Sequence, residues 1–219
     1  MYTGPHIVTD GLVFDISAGS TRSYAGSGTT AYDLVGSANA SLINGVGFST
    51  DNSGTWDFDG VDDYMATAST SAVNFGTGDF TIEVMTKPAA FGTYTHMVSL
   101  PLQSTFSLKA ESSTGSIYFY SPSFTTYGST SGWNLTLNQW NSVVLVRRSG
   151  VAYCYLNGEL IGSKSGFSNS FTSQAINIGW GWASEFEEQQ IPFVRIYNTG
   201  LTDAGVLQNF NAVKNRFGL

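Results

Sequence analysis

Residues 138–163 read NQWNSVVLVRRSGVAYCYLNGELIGS. Runs of β-branched and aromatic residues broken by short polar turns read as three consecutive strands of a meander. The second turn is Asn157-Gly158, the strongest local cue for a hairpin, because both central residues of a type I′ turn need a positive φ. Cys154 lies on the middle strand, where alternation groups it with Ala152 and Leu156. It is the one cysteine of the chain. It has no partner for an internal disulfide and reads as a small core residue.

The same signal extends on both sides. GLVFDI (11–16) is an opening strand. GTWDFDG (54–60) alternates, with Trp56 and Phe58 on one face and Asp57 and Asp59 on the other. DFTIEVMTKP (79–88) puts Phe80, Ile82 and Val84 inward and Thr81, Glu83 and Met85 opposite. YTHMVSL, STFSLKA and SIYFYS follow at short spacing, and AINIGW and IPFVRIYN close the β part. About a dozen strands between Gly/Ser/Asn-rich turns predict an all-β, two-sheet antiparallel sandwich. No charged or Pro-rich linker divides the chain, so we read a polar arm over 1–10 and a single domain over 11–219.

One helix is predicted, over 202–217. Thr202 is its N-cap and Asp203 sits at the positive end of its dipole. Val206, Leu207, Phe210, Val213 and Phe217 share a face, and Gly218 can take the left-handed stop. Gly205 weakens the first turn, so the helix is expected to depend on docking against the sandwich.

Of 219 residues only 11% are charged, with a net charge of −7. The surface must be built from Ser, Thr, Asn and Gly, which suits packing against copies of itself or a larger assembly. The adjacent basic pair Arg147-Arg148 is not a basic stripe, which excludes nucleic acid as a partner. No apolar run approaches a bilayer's thickness, which excludes a membrane-spanning helix. MYTGPHIVTDG has neither a basic n-region nor an apolar h-region and does not read as a secretory signal. Folding in a reducing cytoplasm is therefore expected.

FDGVDDYM (58–65), FTIEVMTKP (80–88), the meander, INIGW (176–180) and VRIYNTGLTDAGVLQNFNAVKNRFGL (194–219) together resemble the laminin-G-like, concanavalin A-like jelly-roll domains. The opening, 7–48, is similar to the version found in structural proteins of tailed bacteriophages. The resemblance implies a jelly roll and a virion setting, with phage capsid or tail proteins, further copies of the chain and host-surface glycans as partners. It also implies binding rather than catalysis. A free-standing bacterial lectin or adhesin module is the alternative, and a glycoside hydrolase a further one.

Three chemistries compete for the acidic and aromatic residues. Glucanases of this fold carry Glu-x-Asp-x-x-Glu on one strand; EFEEQQ offers Glu185, Glu187 and Glu188, but with Phe186 between the first two. The match is partial, and no enzyme is expected. Glycan binding fits better. Trp180 and Trp182 can stack on a pyranose, Glu185 and Gln189 can fix hydroxyls, and Tyr127 and Trp133 stud the polar loop 121–134. The competing reading makes Trp180 a core residue and SEFEEQQ a solvated turn. For metal, Asp59, Asp62 and Asp63 lie in a five-aspartate stretch, with Asp33 and Asn39 as further candidates for calcium. Pro192 and Phe193 stand where ion-holding relatives often carry an Asp, which counts against the ion, so no cofactor is expected. His6 and His96 accompany no nucleophile elbow.

Overall fold

A computed structural model describes residues 5–101, 106–111, 114–121, 124–127, 134–181 and 185–219, with the backbone alone for 124–127. In chain order the strands are β1 (Leu12–Ser17), β2 (Thr30–Ala31), β3 (Ala40–Ile43), β4 (Gly47–Ser49), β5 (Thr55–Asp59), β6 (Tyr64–Thr67), β7 (Phe80–Pro88) and β8 (Tyr94–Leu100). Then come β9 (Phe106–Glu111), β10 (Ile117–Ser121), β11 (Phe124–Tyr127), β12 (Asn141–Arg148), β13 (Val151–Leu156), β14 (Glu159–Ser165), β15 (Asn177–Ile178) and β16 (Glu188–Tyr197).

They form two antiparallel sheets, the predicted all-β sandwich. The first sheet runs β14-β13-β12-β7-β16-β5-β4, with β1 also on β16; the second runs β11-β10-β9-β8-β15-β6-β3-β2. In the meander, Asn157 and Gly158 take φ of 52° and 81°, as a type I′ turn requires. Trp56, Phe58, Phe80, Ile82, Val84, Leu108, Phe119 and Cys154 fill the space between the sheets.

β7 departs from the expected alternation, because its outward face is buried too: Thr81, Glu83 and Met85 are inaccessible. The cover is α1 (Asp203–Val213), lengthened by a 3-10 turn over Lys214–Phe217. The predicted helix is therefore two segments. The Thr202 hydroxyl caps it by accepting the Gly205 N–H, and Gly218 stops it at φ 70°. Val206 packs with Val144, Val146, Tyr155 and Tyr197; Val213 and Phe217 pack with Met85, Trp140 and Phe193. Leu207, expected on this face, is 46% exposed, and Asn209 is buried in its place.

Asn209 is there because the covered face is polar at its centre. Asp15, Arg195 and Glu83 are register partners across β1, β16 and β7. Arg195 Nη1 lies 3.4 Å from Glu83 Oε1, and Nε lies 3.5 Å from Asp15 Oδ1. Asn209 Nδ2 donates to Glu83 Oε2 at 2.8 Å, and its Oδ1 accepts the Val8 N–H at 2.8 Å. Tyr197 Oη donates to the Val8 carbonyl, and Gln208 donates to that of His6. The described part of the polar arm thus lies on this chain's own helix. Arg147 is fully buried. It donates to the carbonyls of Gly76, Gly78 and Asn169 and packs on Phe80, Phe167 and Phe171.

Candidate functional site

The outer face of the second sheet is where chemistry collects. Alternation along β8, β9 and β10 turns Tyr94, His96, Ser107, Lys109 and Tyr118 outward while Met97, Leu108 and Phe119 point into the core. His96 and Tyr118 both pair with Lys109 in register, so the three form a row across the sheet. The described parts of the connection from β15 to β16, residues 179–181 and 185–187, lie over this row. Ser99 Oγ donates to the Trp180 carbonyl at 2.7 Å, and Glu185 Oε2 lies 2.7 Å from His96 Nε2. Gly181 passes so close that a methyl group there would collide with the His96 ring.

Within that connection Trp180 and Phe186 form an isolated antiparallel bridge, and their rings stack at 12° with centroids 6.2 Å apart. Tyr64, at the start of β6, lies 5.1 Å from the Trp180 ring and 6.2 Å from Phe186. All three are partly exposed. They form an aromatic platform of the kind on which the apolar face of a sugar can rest.

The polar groups around it hold the connection down. Burial pushes the His96 imidazole down to about 4, against the Glu185 hydrogen bond and with the help of Lys109. The ring is therefore neutral at pH 7: Nε2–H donates to Glu185, and Nδ1 accepts the Ser107 hydroxyl at 2.6 Å. The order Ser–His–Glu matches a hydrolase chain, but Ser107 is 1% exposed. A nucleophile must reach its substrate, so this set acts as a latch. Burial likewise lowers the Lys109 pKa, opposed by Glu185 and Glu111; its ammonium lies 3.5 Å from the centre of the Tyr94 ring. Glu187 is raised by burial, opposed by the Gly92 N–H bond to its carboxylate.

Of the residues singled out in the sequence, Trp180 joins the platform and Glu185 closes the latch. Gln189 is corrected. It is 1% exposed, its Nε2 donates to the His96 carbonyl at 2.8 Å, and its Oε1 accepts the Thr86 hydroxyl, so its amide is not free for a ligand. It stands on β16, in the first sheet, rather than in the connection. Trp182 and Trp133 lie outside the described residues, and Tyr127 is described only as the last residue of β11. The sequence motifs do not single out Tyr64 or Lys109, and they present His96 only as a catalytic candidate and Phe186 only as a spacer between glutamates. The alternation of YTHMVSL and STFSLKA carried half of that signal, since it puts Tyr94 with His96 and Ser107 with Lys109.

Asp59, Asp62 and Asp63 do converge, with carboxylate oxygens within 4.8 Å of one another. Asp59 Oδ1 accepts the Val61 N–H at 2.8 Å, and Asp63 Oδ2 accepts the Asp59 N–H at 3.2 Å, which closes a hydrogen-bonded turn. Asp33 and Asn39 do not join them: Asp33 accepts from Asp15, Val35 and Ala38, and Asn39 accepts from Asp33. Calcium takes six to eight oxygens. Three carboxylates, two of them tied into a turn, do not fit that shell.

Comparison with curated proteins finds no match. Among solved structures, Trypanosoma rangeli sialidase in complex with sialic acid superposes with a TM-score of 0.72 at 14% identity, over 96% of this chain and 34% of the sialidase. The binding domain of Paraclostridial Mosquitocidal Protein 1 gives 0.71 at 16% identity, over 92% of this chain and 52% of that one. The binding domain of botulinum neurotoxin serotype G gives 0.71 at 14%, over 91% and 50%. The chain thus spans about a third of the sialidase and about half of each toxin chain. At these identities the likeness is one of fold. The profile of the laminin G type matches residues 58–207. The chain belongs to the concanavalin A-like lectin/glucanases superfamily.

Proposed function

We propose that this protein binds carbohydrate without cleaving it, through the Tyr64–Trp180–Phe186 platform, and that it does so on the surface of a tailed-phage particle, as a capsid decoration, head fibre or small tail adhesin. The observation that carries the binding reading is the partly exposed three-ring platform, latched over a sheet face by Glu185 and His96. Aromatic rings supply the stacking surface, and neighbouring carboxylates accept sugar hydroxyls. The phage setting is supported by the resemblance of 7–48. A non-enzymatic role is supported by the engagement of the groups a hydrolase would need: Glu185 is bound to His96, Glu187 to the Gly92 N–H, and Ser107 is buried.

The test is calorimetric titration with oligosaccharides, beside a reducing-sugar assay on the same ligands. Trp180→Ala and Phe186→Ala should each weaken binding by about tenfold or more, in keeping with the loss of one ring contact. No turnover is expected. Binding untouched by both substitutions would remove the platform from the site, and turnover abolished by Glu187→Gln would replace binding with hydrolysis. Immunogold labelling of purified particles tests the setting: label on head or tail supports it, and bare particles overturn it.

A further inference from the structure

Two of the three platform rings, Trp180 and Phe186, stand on separate stems. Residues 179–181 leave β15, where the Gly179 N–H donates to the Met97 carbonyl and Ser99 Oγ donates to that of Trp180. Residues 185–187 lead into β16, where the Gly92 N–H donates to the Glu187 carboxylate. The Trp180–Phe186 pairing that joins the stems is a single isolated bridge. A two-stranded pairing by itself is marginal in water, so the arrangement of the rings depends on what fastens the stems to the sheet. One imidazole meets both stems. The backbone at Gly181 runs against the His96 ring, where a Cβ would overlap Nδ1, and Glu185 on the other stem accepts Nε2–H at 2.7 Å. The ring is fixed from behind, because the Ser107 hydroxyl donates to Nδ1 at 2.6 Å and leaves Nε2 as the protonated nitrogen. His96 and Ser107 are each 1% exposed, so neither reaches a sugar resting on the rings. Any effect they have on a ligand must pass through the stems.

A ligand that finds its site already assembled loses less affinity to ordering it. Resting on the glycan reading above, we propose that His96 is the positioning residue of the platform. Through its hydrogen bonds to Glu185 and Ser107 it holds both stems, and so sets the Trp180 and Phe186 rings in their stacked arrangement before any sugar arrives.

Three variants separate this from a general role in folding. His96→Gln keeps an N–H donor within reach of Glu185. His96→Phe keeps the bulk and loses both hydrogen bonds, and Ser107→Ala removes the support behind the ring. Each is titrated by calorimetry with cellohexaose, chitohexaose and mannohexaose, beside amide hydrogen exchange of the free protein. His96→Phe should weaken the tightest of these sugars by about tenfold, the size of one hydrogen bond to a charged group, and Ser107→Ala by about threefold, that of a neutral one. His96→Gln should stay within about twofold. In the free protein, His96→Phe should quicken exchange in 185–187 and leave β12 and β13 protected, since central strands report the fold as a whole. Unchanged affinity in His96→Phe overturns the proposal. So does weakened binding with unchanged exchange, which would make His96 a ligand contact, and so does exchange quickened equally in β12, which would reduce its role to stability. Equal losses in His96→Gln and His96→Phe would assign the effect to ring shape and overturn it too. If the unaltered protein binds none of the three sugars, the glycan reading falls and the proposal with it; if it binds and the variants match it, the proposal alone falls.

Discussion

At the scale of single residues, two buried groups titrate against each other. Burial raises Asp15 to about 6, with Arg195 opposing, whereas an unfolded aspartate titrates near about 4. Between those values the folded chain holds the extra proton, so stability falls as pH rises from about 4 to 6. His96 does the reverse. Its folded pKa of about 4 lies below the unfolded value of about 6.5, so stability is lost as pH falls through that window. Together the two nearly cancel. Asp15→Asn should leave a curve that rises from pH 4 to 6.5, and His96→Gln one that falls, each by at most about 1.4 kcal/mol per pH unit. Urea midpoints across that range read the slopes, and parallel curves in the two variants would refute the assignment. Neither group was legible in the sequence. Asp15 looks like an ordinary outward residue of an edge strand, and His96 meets Glu185 across 89 positions. The local alternation that placed Trp56, Phe58 and Cys154 correctly carries no information about what later covers the opposite face.

At the scale of elements, that later cover is the helix, and Asn209 is its key. Asn209→Ala should cost about 2–4 kcal/mol, because it leaves the Val8 N–H and Glu83 without their partner in a buried place. Leu207→Ala should stay within about 0.5 kcal/mol, and Thr202→Ala should cost about 1 kcal/mol through the lost cap. Equilibrium denaturation orders the three. Equal losses at 207 and 209 would mean that the helix docks through its apolar residues alone. The cap and the left-handed stop were readable because capping is local chemistry. The choice between Leu207 and Asn209 was not, because hydrophobic periodicity assumes an apolar surface beneath, and here that surface carries Asp15, Arg195 and Glu83. The turn at Asp59–Asp63 belongs to this scale too. Chelation by EDTA should leave its melting behaviour unchanged, and a rise of more than about 3 °C on adding calcium would show a shell completed by other oxygens.

At the scale of the molecule, the arm tests how the ends are used. Removing residues 1–10 should lower the melting temperature, since Val8 packs with Tyr197, Leu201 and Val206 and bonds to Asn209. An unchanged value would show that the arm contributes nothing to the stability of the fold. The two-sheet architecture, its strand succession and its closing helix could be read from pattern alone. The platform could not, because it joins Tyr64 to a connection more than a hundred residues later. Its position has a consequence of its own. The described part of the arm and the helix lie on the outer side of one sheet, and the three rings lie on the outer side of the other. Under the proposed function, attachment through the arm's face would set recognition on the opposite one. A particle that gripped the arm's side would point every copy's rings at the medium, and the strength of its hold on a cell would follow from copy number, with modest single-site affinity multiplied into avidity.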